Sequence, residues 1–194
     1  MSVRLGPHFL TSRRALAYIV DAAELTSADT VLEVGPGTGF LTEALLARAG
    51  RVIAIEKDAR LVSGLAERFA AERASGRLEL VHADVRSFDP SDWKLEIRNW
   101  KLVANIPYYL TGDLIRQFLT CDVQPSRMVL MLQREVAERI VAKDGKESLL
   151  SISVKAYGTP RIVARVPAGS FSPLPKVDSA ILLIGESCRT IIPS

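Results

Sequence analysis

Thr30 to Val34 is a short, mostly apolar run that breaks without a spacer into Gly35-Pro-Gly-Thr-Gly39, and Phe40 to Arg48 then reads as helical. A strand feeding a helix through three alternating glycines leaves few folds open. Glycine lets the backbone turn sharply and admits a ligand where a Cβ would stand in the way. The spacing is GxGxG, not the GxGxxG of dinucleotide folds, whose third glycine brings a helix N-terminus onto a pyrophosphate. Here Pro36 stiffens the loop and Glu33 sets an acid beside it. An acid suits a cationic ligand with an amino-acid end better than a pyrophosphate.

The rest of the 194-residue chain repeats the alternation. Strands are predicted at 51–55, 78–82, 102–104, 128–132, 161–166 and 179–184. Helices are predicted at 12–24, capped by Ser12, and at 58–71, 111–119, 135–142 and 149–157. Strands alternating with helices imply an α/β fold with a doubly wound, mostly parallel sheet of seven strands. No helix separates the last two strands, so they are expected to pair as an antiparallel edge hairpin around a 167–175 loop. Ligands of such sheets sit outside the carboxyl ends of the strands.

Those ends carry a consistent set. The second strand runs into Glu56, whose carboxylate can accept from both ribose hydroxyls. The third runs into Asp84-Val85, where Asp84 can accept from an adenine amino group while Val85 packs on the ring; Asp84 reads equally well as a turn cap. With the glycine loop (Gly35, Gly37) and Glu33, the set fits S-adenosylmethionine. This ligand has a ribose, an adenine, a sulfonium and an amino-acid tail.

The fourth strand ends in Asn105-Ile-Pro-Tyr108. An adenine amino nitrogen is a poor nucleophile because its lone pair is delocalised into the ring. Two acceptors on its hydrogens draw it toward sp³. The Asn105 side-chain oxygen and the Ile106 or Pro107 carbonyl are such acceptors, held by the rigid proline. Tyr108 offers a face for stacking. Positioning carries the reaction, and no strong general base is required. In Phe171-Ser-Pro-Leu-Pro-Lys-Val-Asp-Ser179 the prolines make a stiff loop that cannot pair along its length. Phe171 reads either as a second stacking wall for a base drawn out of its helix or as a core residue.

The net charge of +3 is compatible with nucleic acid. Arg4, Arg13 and Arg14, together with Arg161, Arg165 and Lys176, would form a basic rim if the fold joins them. Cys121 reads as helix packing and Cys188 as tail. With two cysteines and two histidines, no metal site is expected. No secretory signal or membrane span is legible, so a cytoplasmic monomer is the expectation.

Taken together, Gly6-Pro-His-Phe-Leu10, Glu33-Val-Gly-Pro-Gly-Thr-Gly39, Asn105-Ile-Pro-Tyr-Tyr109, Met131-Leu-Gln-Arg-Glu-Val136 and the 171–179 loop resemble the ribosomal RNA adenine N6-dimethyltransferase family. Within it the resemblance is to the bacterial KsgA-type small-subunit enzymes, over about residues 5–185. It implies a Rossmann-like class I methyltransferase domain at 12–186, an N-terminal flap at 1–11 and a tail at 187–194. It implies two methyl transfers to each of two neighbouring adenosines near the 3′ end of small-subunit rRNA. It also implies cofactor contacts from His8, Leu10, Gly35, Glu56, Asp84 and Asn105. His8 and Leu10 come from the resemblance alone. The sequence departs from the family in having Pro7 where Gln is usual, and it is expected to lack the family's C-terminal helical domain.

Three other readings stay open. One is a large-subunit rRNA methyltransferase of the macrolide-resistance type, against which Gln133-Arg-Glu135 and Lys176-Val-Asp-Ser179 lean. Another is a DNA adenine methyltransferase, disfavoured because no target-recognition domain is legible. The third is a ribosome-assembly factor that binds RNA without needing catalysis.

Overall fold

The structure, a computed structural model, describes residues 8–95, 99–106, 110–142 and 147–186. In chain order the elements are β1 (Phe9–Leu10), α1 (Arg13–Ala23), β2 (Thr30–Val34), α2 (Phe40–Leu46), β3 (Arg51–Glu56), α3 (Ala59–Arg68), α4 (Ala70–Ala74) and β4 (Leu78–His82). There follow β5 (Trp100–Asn105), α5 (Thr111–Thr120), β6 (Arg127–Gln133), α6 (Arg134–Val141), α7 (Leu149–Tyr157), β7 (Gly158–Val166), β8 (Phe171–Ser172) and β9 (Ser179–Glu186).

Seven strands form one sheet in the order β4-β3-β2-β5-β6-β9-β7. Strands β2 to β6 are parallel, and β9 runs antiparallel between β6 and β7. The expected hairpin is therefore present, with β7 at the edge. Strand order reverses between β2 and β5, which makes their carboxyl ends the place for a ligand. Alternation along each strand splits the core in two. Leu32, Ile53, Leu102 and Leu130 face α5, α6 and α7. Val31, Ala54, Val103 and Val129 face α1, α2 and α3.

The elements obey local chemistry. Ser12 caps α1 by accepting from the Ala15 amide, and Asp58 caps α3 through the Arg60 amide. The predicted 58–71 helix is in fact two. It breaks at Phe69, whose backbone leaves the helical region at φ −111 and ψ 35 while its ring packs toward Gly39. Strand β7 starts three residues earlier than expected, because an edge strand tolerates Gly158 and Pro160.

The basic rim is split. Helix α1 does pack against β7. Without an irregularity, Arg161 and Arg165 would share a face. A bulge between Ile162 and Ala164 instead pairs Arg161 with Leu183, on the α1 side, and Arg165 with Ala180, on the α6 side. Arg165 there meets Glu138 at 3.2 Å.

The 167–175 loop also differs from expectation. Its Phe171 and Ser172 form β8, which pairs antiparallel with β1 through Leu10↔Phe171 and Phe9↔Ser172. Pairing stops where the prolines start. Residues 8–11 of the expected flap are thereby tied to the body of the domain, and Thr11 adds a backbone bond to Ser170 at 2.9 Å.

Candidate functional site

The carboxyl ends of β2, β3, β4 and β5 bring together the glycine loop, Glu56, Asp84 and Asn105. Gly35 follows Val34, which pairs with Ile55 and Ala104; its amide donates to Ile55 O at 3.0 Å, and an added Cβ would stand 3.7 Å from Asn105 O. Gly35, Gly37 and Gly39 all have positive φ, at 70°, 60° and 84°. Each is in the left-handed region that a side chain disfavours. The loop is packed from two sides. A Cβ on Gly37 would stand 2.9 Å from the Phe9 ring, and one on Gly39 would stand 2.6 Å from Phe69 and 2.8 Å from Leu65.

Glu56 uses Oε1 to accept from the amides of Lys57 at 2.8 Å and Asp58 at 3.0 Å. Its Oε2 accepts from the Gly37 amide at 3.2 Å, a long bond. A carboxylate has about four lone-pair sites, so room for a hydroxyl remains. That fits the expected ribose role.

Asp84 is more committed. It caps the turn Val85–Ser87 through the Arg86 amide at 3.1 Å. The Arg86 side chain bonds both its oxygens, and Lys57 Nζ reaches Oδ2 at 2.8 Å. The Arg86 guanidinium first, then the Lys57 ammonium, hold its carboxyl well below the usual range. The cap alternative is therefore realised, and an adenine amino group would have to displace the exposed Lys57 ammonium. Val85 is buried beside Phe88, so its side chain belongs to the core as placed.

Asn105 ends β5, and its Nδ2 donates to the His8 carbonyl at 3.4 Å. That orientation leaves Oδ1 as an acceptor. His8 Nδ1 lies 2.8 Å from the Pro173 carbonyl. The flap, the β5 end and the proline loop are thus linked through His8. Pro107 and Tyr108 lie outside the described residues. Leu10 and Phe171 are buried neighbours in the core on the α1 side. With 6% exposure the Phe171 ring is packed, not presented, so the expected stacking wall is absent from this arrangement. Glu33 is fully buried beneath the loop rather than lining it.

Two features were beyond sequence reading. The 131–136 and 171–179 motifs touch: Arg134 N donates to Asp178 O at 3.0 Å, and Asp178 Oδ1 accepts from the Ala168 amide at 3.0 Å. Arg68 braces the glycine loop from α3, donating to Thr38 O at 2.7 Å and to Glu43 at 2.6 Å, with its guanidinium over Phe69. Nothing in the helical pattern marks Arg68 apart from any surface arginine. Arg68→Ala is expected to weaken binding of the S-adenosylmethionine that the sequence implies by about three- to tenfold, the net worth of one hydrogen bond. Turnover at saturating cofactor should hold, and Arg68→Lys should restore part of the affinity. Calorimetry and initial rates check this; unchanged affinity would make Arg68 a surface residue only.

Comparison with known proteins agrees with this fold. The profile of the family described as "Ribosomal RNA adenine dimethylase" matches residues 2–187. The chain is similar to the "Ribosomal RNA small subunit methyltransferase A" of Dehalococcoides mccartyi strain BAV1, at 48% identity over 97% of this chain and 64% of that one. Thus it spans a little under two thirds of that relative's length. Among solved structures it resembles a dimethyladenosine transferase from Plasmodium falciparum, with TM-score 0.82 and 35% identity over 93% of this chain and 64% of that one. It also resembles the 23S rRNA methyltransferase ErmE, with TM-score 0.84 and 30% identity over 96% of this chain and 72% of that one.

Proposed function

Because the chain belongs to the ribosomal RNA adenine dimethylase family, we propose that it transfers methyl groups from S-adenosylmethionine to the N6 of adenosines in rRNA, and dimethylates two adjacent adenosines near the 3′ end of small-subunit rRNA. The observation that carries this reading is Asn105 at the end of β5, beside Gly35, with its side-chain oxygen left to accept. When bound, S-adenosylmethionine supplies the electrophilic methyl group.

The chain's own residues bind and orient. Glu56 holds the ribose, the backbone of the loop at Gly35 and Gly37 meets the tail, with Phe9 packed on Gly37, and Asp84 takes the adenine once Lys57 moves aside. His8 and Leu10 close the site from the flap. Asn105 Oδ1 and the carbonyl of Ile106 or Pro107 accept from the two hydrogens of the target amino group. That fixes the nitrogen in line with the methyl and localises its lone pair. Tyr108 is the stacking surface, and Phe171 joins it only if β8 shifts.

A second reading, methylation of large-subunit rRNA, is favoured by the likeness to ErmE. The 48% identity with a small-subunit methyltransferase against 30% with ErmE supports the first. The test uses purified chain, labelled S-adenosylmethionine and immature small subunits lacking the modification, with naked RNA and large subunits alongside. N6,N6-dimethyladenosine among the digested nucleosides of small subunits alone is the expected result. Product on large subunits would move the assignment to the second reading. Binding of cofactor and of small subunits without any product would favour the reading as an RNA-binding assembly factor.

A further inference from the structure

Among the described residues, Glu33 is the only acidic or basic side chain that is fully buried. It lies on β2 two residues before Gly35, flanked in register by Ala54 and Val103. Strand alternation sets it on the α1, α2 and α3 face, one step beneath Glu56 and Asn105. Neither of its oxygens nor the nearby Thr42 hydroxyl makes a hydrogen bond of ordinary geometry, although that hydroxyl is close enough to favour the anion.

The surrounding elements supply no cation to that side chain. On α2, Glu43 is turned outward to Arg68, and on α3, Arg68 is spent on Glu43 and the Thr38 carbonyl. On α1, Asp21 pairs with Arg48 at the surface. From β5 the same face carries the uncharged Asn105 one step above and Lys101 one step below, whose ammonium is spent on the Glu24 carbonyl at 2.7 Å and on Asp29 at 3.0 Å; from β3 it carries a second carboxylate, Glu56. A lone charge in such a place is strongly disfavoured, and proteins avoid it by keeping the group protonated. Burial pushes the Glu33 acid up to about 8; the nearby Thr42 hydroxyl opposes this, and the Glu56 charge adds a smaller push upward.

We propose that Glu33 is a neutral acid in the ligand-free protein and gives its proton to solvent when the cationic cofactor is seated, so that cofactor binding and proton release are one equilibrium. This rests on S-adenosylmethionine being the ligand. That molecule carries a sulfonium and an ammonium against one carboxylate, so it brings net positive charge to the loop above Glu33. The O–H bond of the acid breaks, its electron pair stays on the carboxylate oxygen, and the proton passes to buffer. Nothing is oxidised or reduced. The buried anion left behind balances the incoming charge.

The sign follows from linkage. The free protein binds one more proton than the complex, so raising the pH favours the complex. Affinity should rise by up to about tenfold per pH unit as pH approaches 8 from below and level off above 8, where Glu33 is already ionised.

The test is calorimetric titration of the chain with S-adenosylmethionine at neutral pH, in phosphate and in Tris. These buffers differ in ionisation enthalpy, so the difference in observed heat counts protons. Close to one proton released per cofactor is expected, and none from Glu33→Gln. No buffer dependence in the unaltered chain, or release that persists in Glu33→Gln, overturns the proposal. A measurement without any variant is the infrared carbonyl stretch of a buried carboxylic acid. It should be present before the cofactor is added and lost afterwards; an unchanged band also overturns the proposal. If S-adenosylmethionine does not bind at all, the cofactor assignment itself falls, and this inference with it.

Discussion

Asn105→Ala is expected to slow methyl transfer by about 10²–10³-fold, the loss typical when one preorganised polar group is withdrawn from a transition state. In the proposed reaction the side chain has two tasks. Its Oδ1 is left to accept from the target amino group, while its Nδ2 holds the His8 carbonyl at 3.4 Å. Alanine abolishes both. Asn105→Asp should not rescue the rate, because it turns an acceptor toward the His8 carbonyl where a donor is needed. Single-turnover methylation with excess enzyme and immature small subunits measures the chemical step. Binding of the same subunits should survive in both variants. A rate within tenfold of the unaltered chain would remove Asn105 from the reaction.

The largest effect on stability is expected at Gly39. Its φ of 84° disfavours any side chain, and an added Cβ would meet the Phe69 ring at 2.6 Å and Leu65 at 2.8 Å. Both neighbours are buried, so neither can swing away freely. Left-handed strain of about 1–2 kcal/mol and overpacking of about 1–3 kcal/mol put Gly39→Ala at about 2–5 kcal/mol less stable. Gly64→Ala provides the contrast. Gly64 lies in α3 with nothing within 4 Å of the added atom, so the same substitution should stabilise by up to about 1 kcal/mol. Urea midpoints of the two variants should therefore move in opposite directions. A Gly39→Ala protein as stable as the parent would mean that the loop and α3 are not packed as described.

The strands were legible because their side chains are buried on both faces and leave near-continuous apolar runs, as in Val52 to Ile55 and Met128 to Leu132. The strand-end residues were legible because the parallel order carries each of them to the same edge. What stayed hidden depends on contacts distant in sequence. Two-residue strands such as β1 and β8 have no period to read. The break at Phe69 answers to the ring's packing near Gly39, not to its neighbours in the chain. The bulge that parts Arg161 from Arg165 is a matter of pairing with β9 and leaves no mark in composition. Asp84 was readable as two things, and only the positions of Arg86 and Lys57 showed that its oxygens are already occupied.

The pairing of Phe9–Leu10 with Phe171–Ser172 joins segments about 160 residues apart. A loop of that size closes slowly compared with the local strand–helix contacts between β2 and β6. During synthesis the glycine loop, Glu56 and Asp84 can therefore settle against one another long before Phe9 finds its partner. The cover over the cofactor loop, and the contact of His8 with both Asn105 and Pro173, come only when nearly the whole domain has emerged. A nascent chain would thus hold a preformed but open cofactor cradle, and competence for the reaction would arrive as a final step of folding.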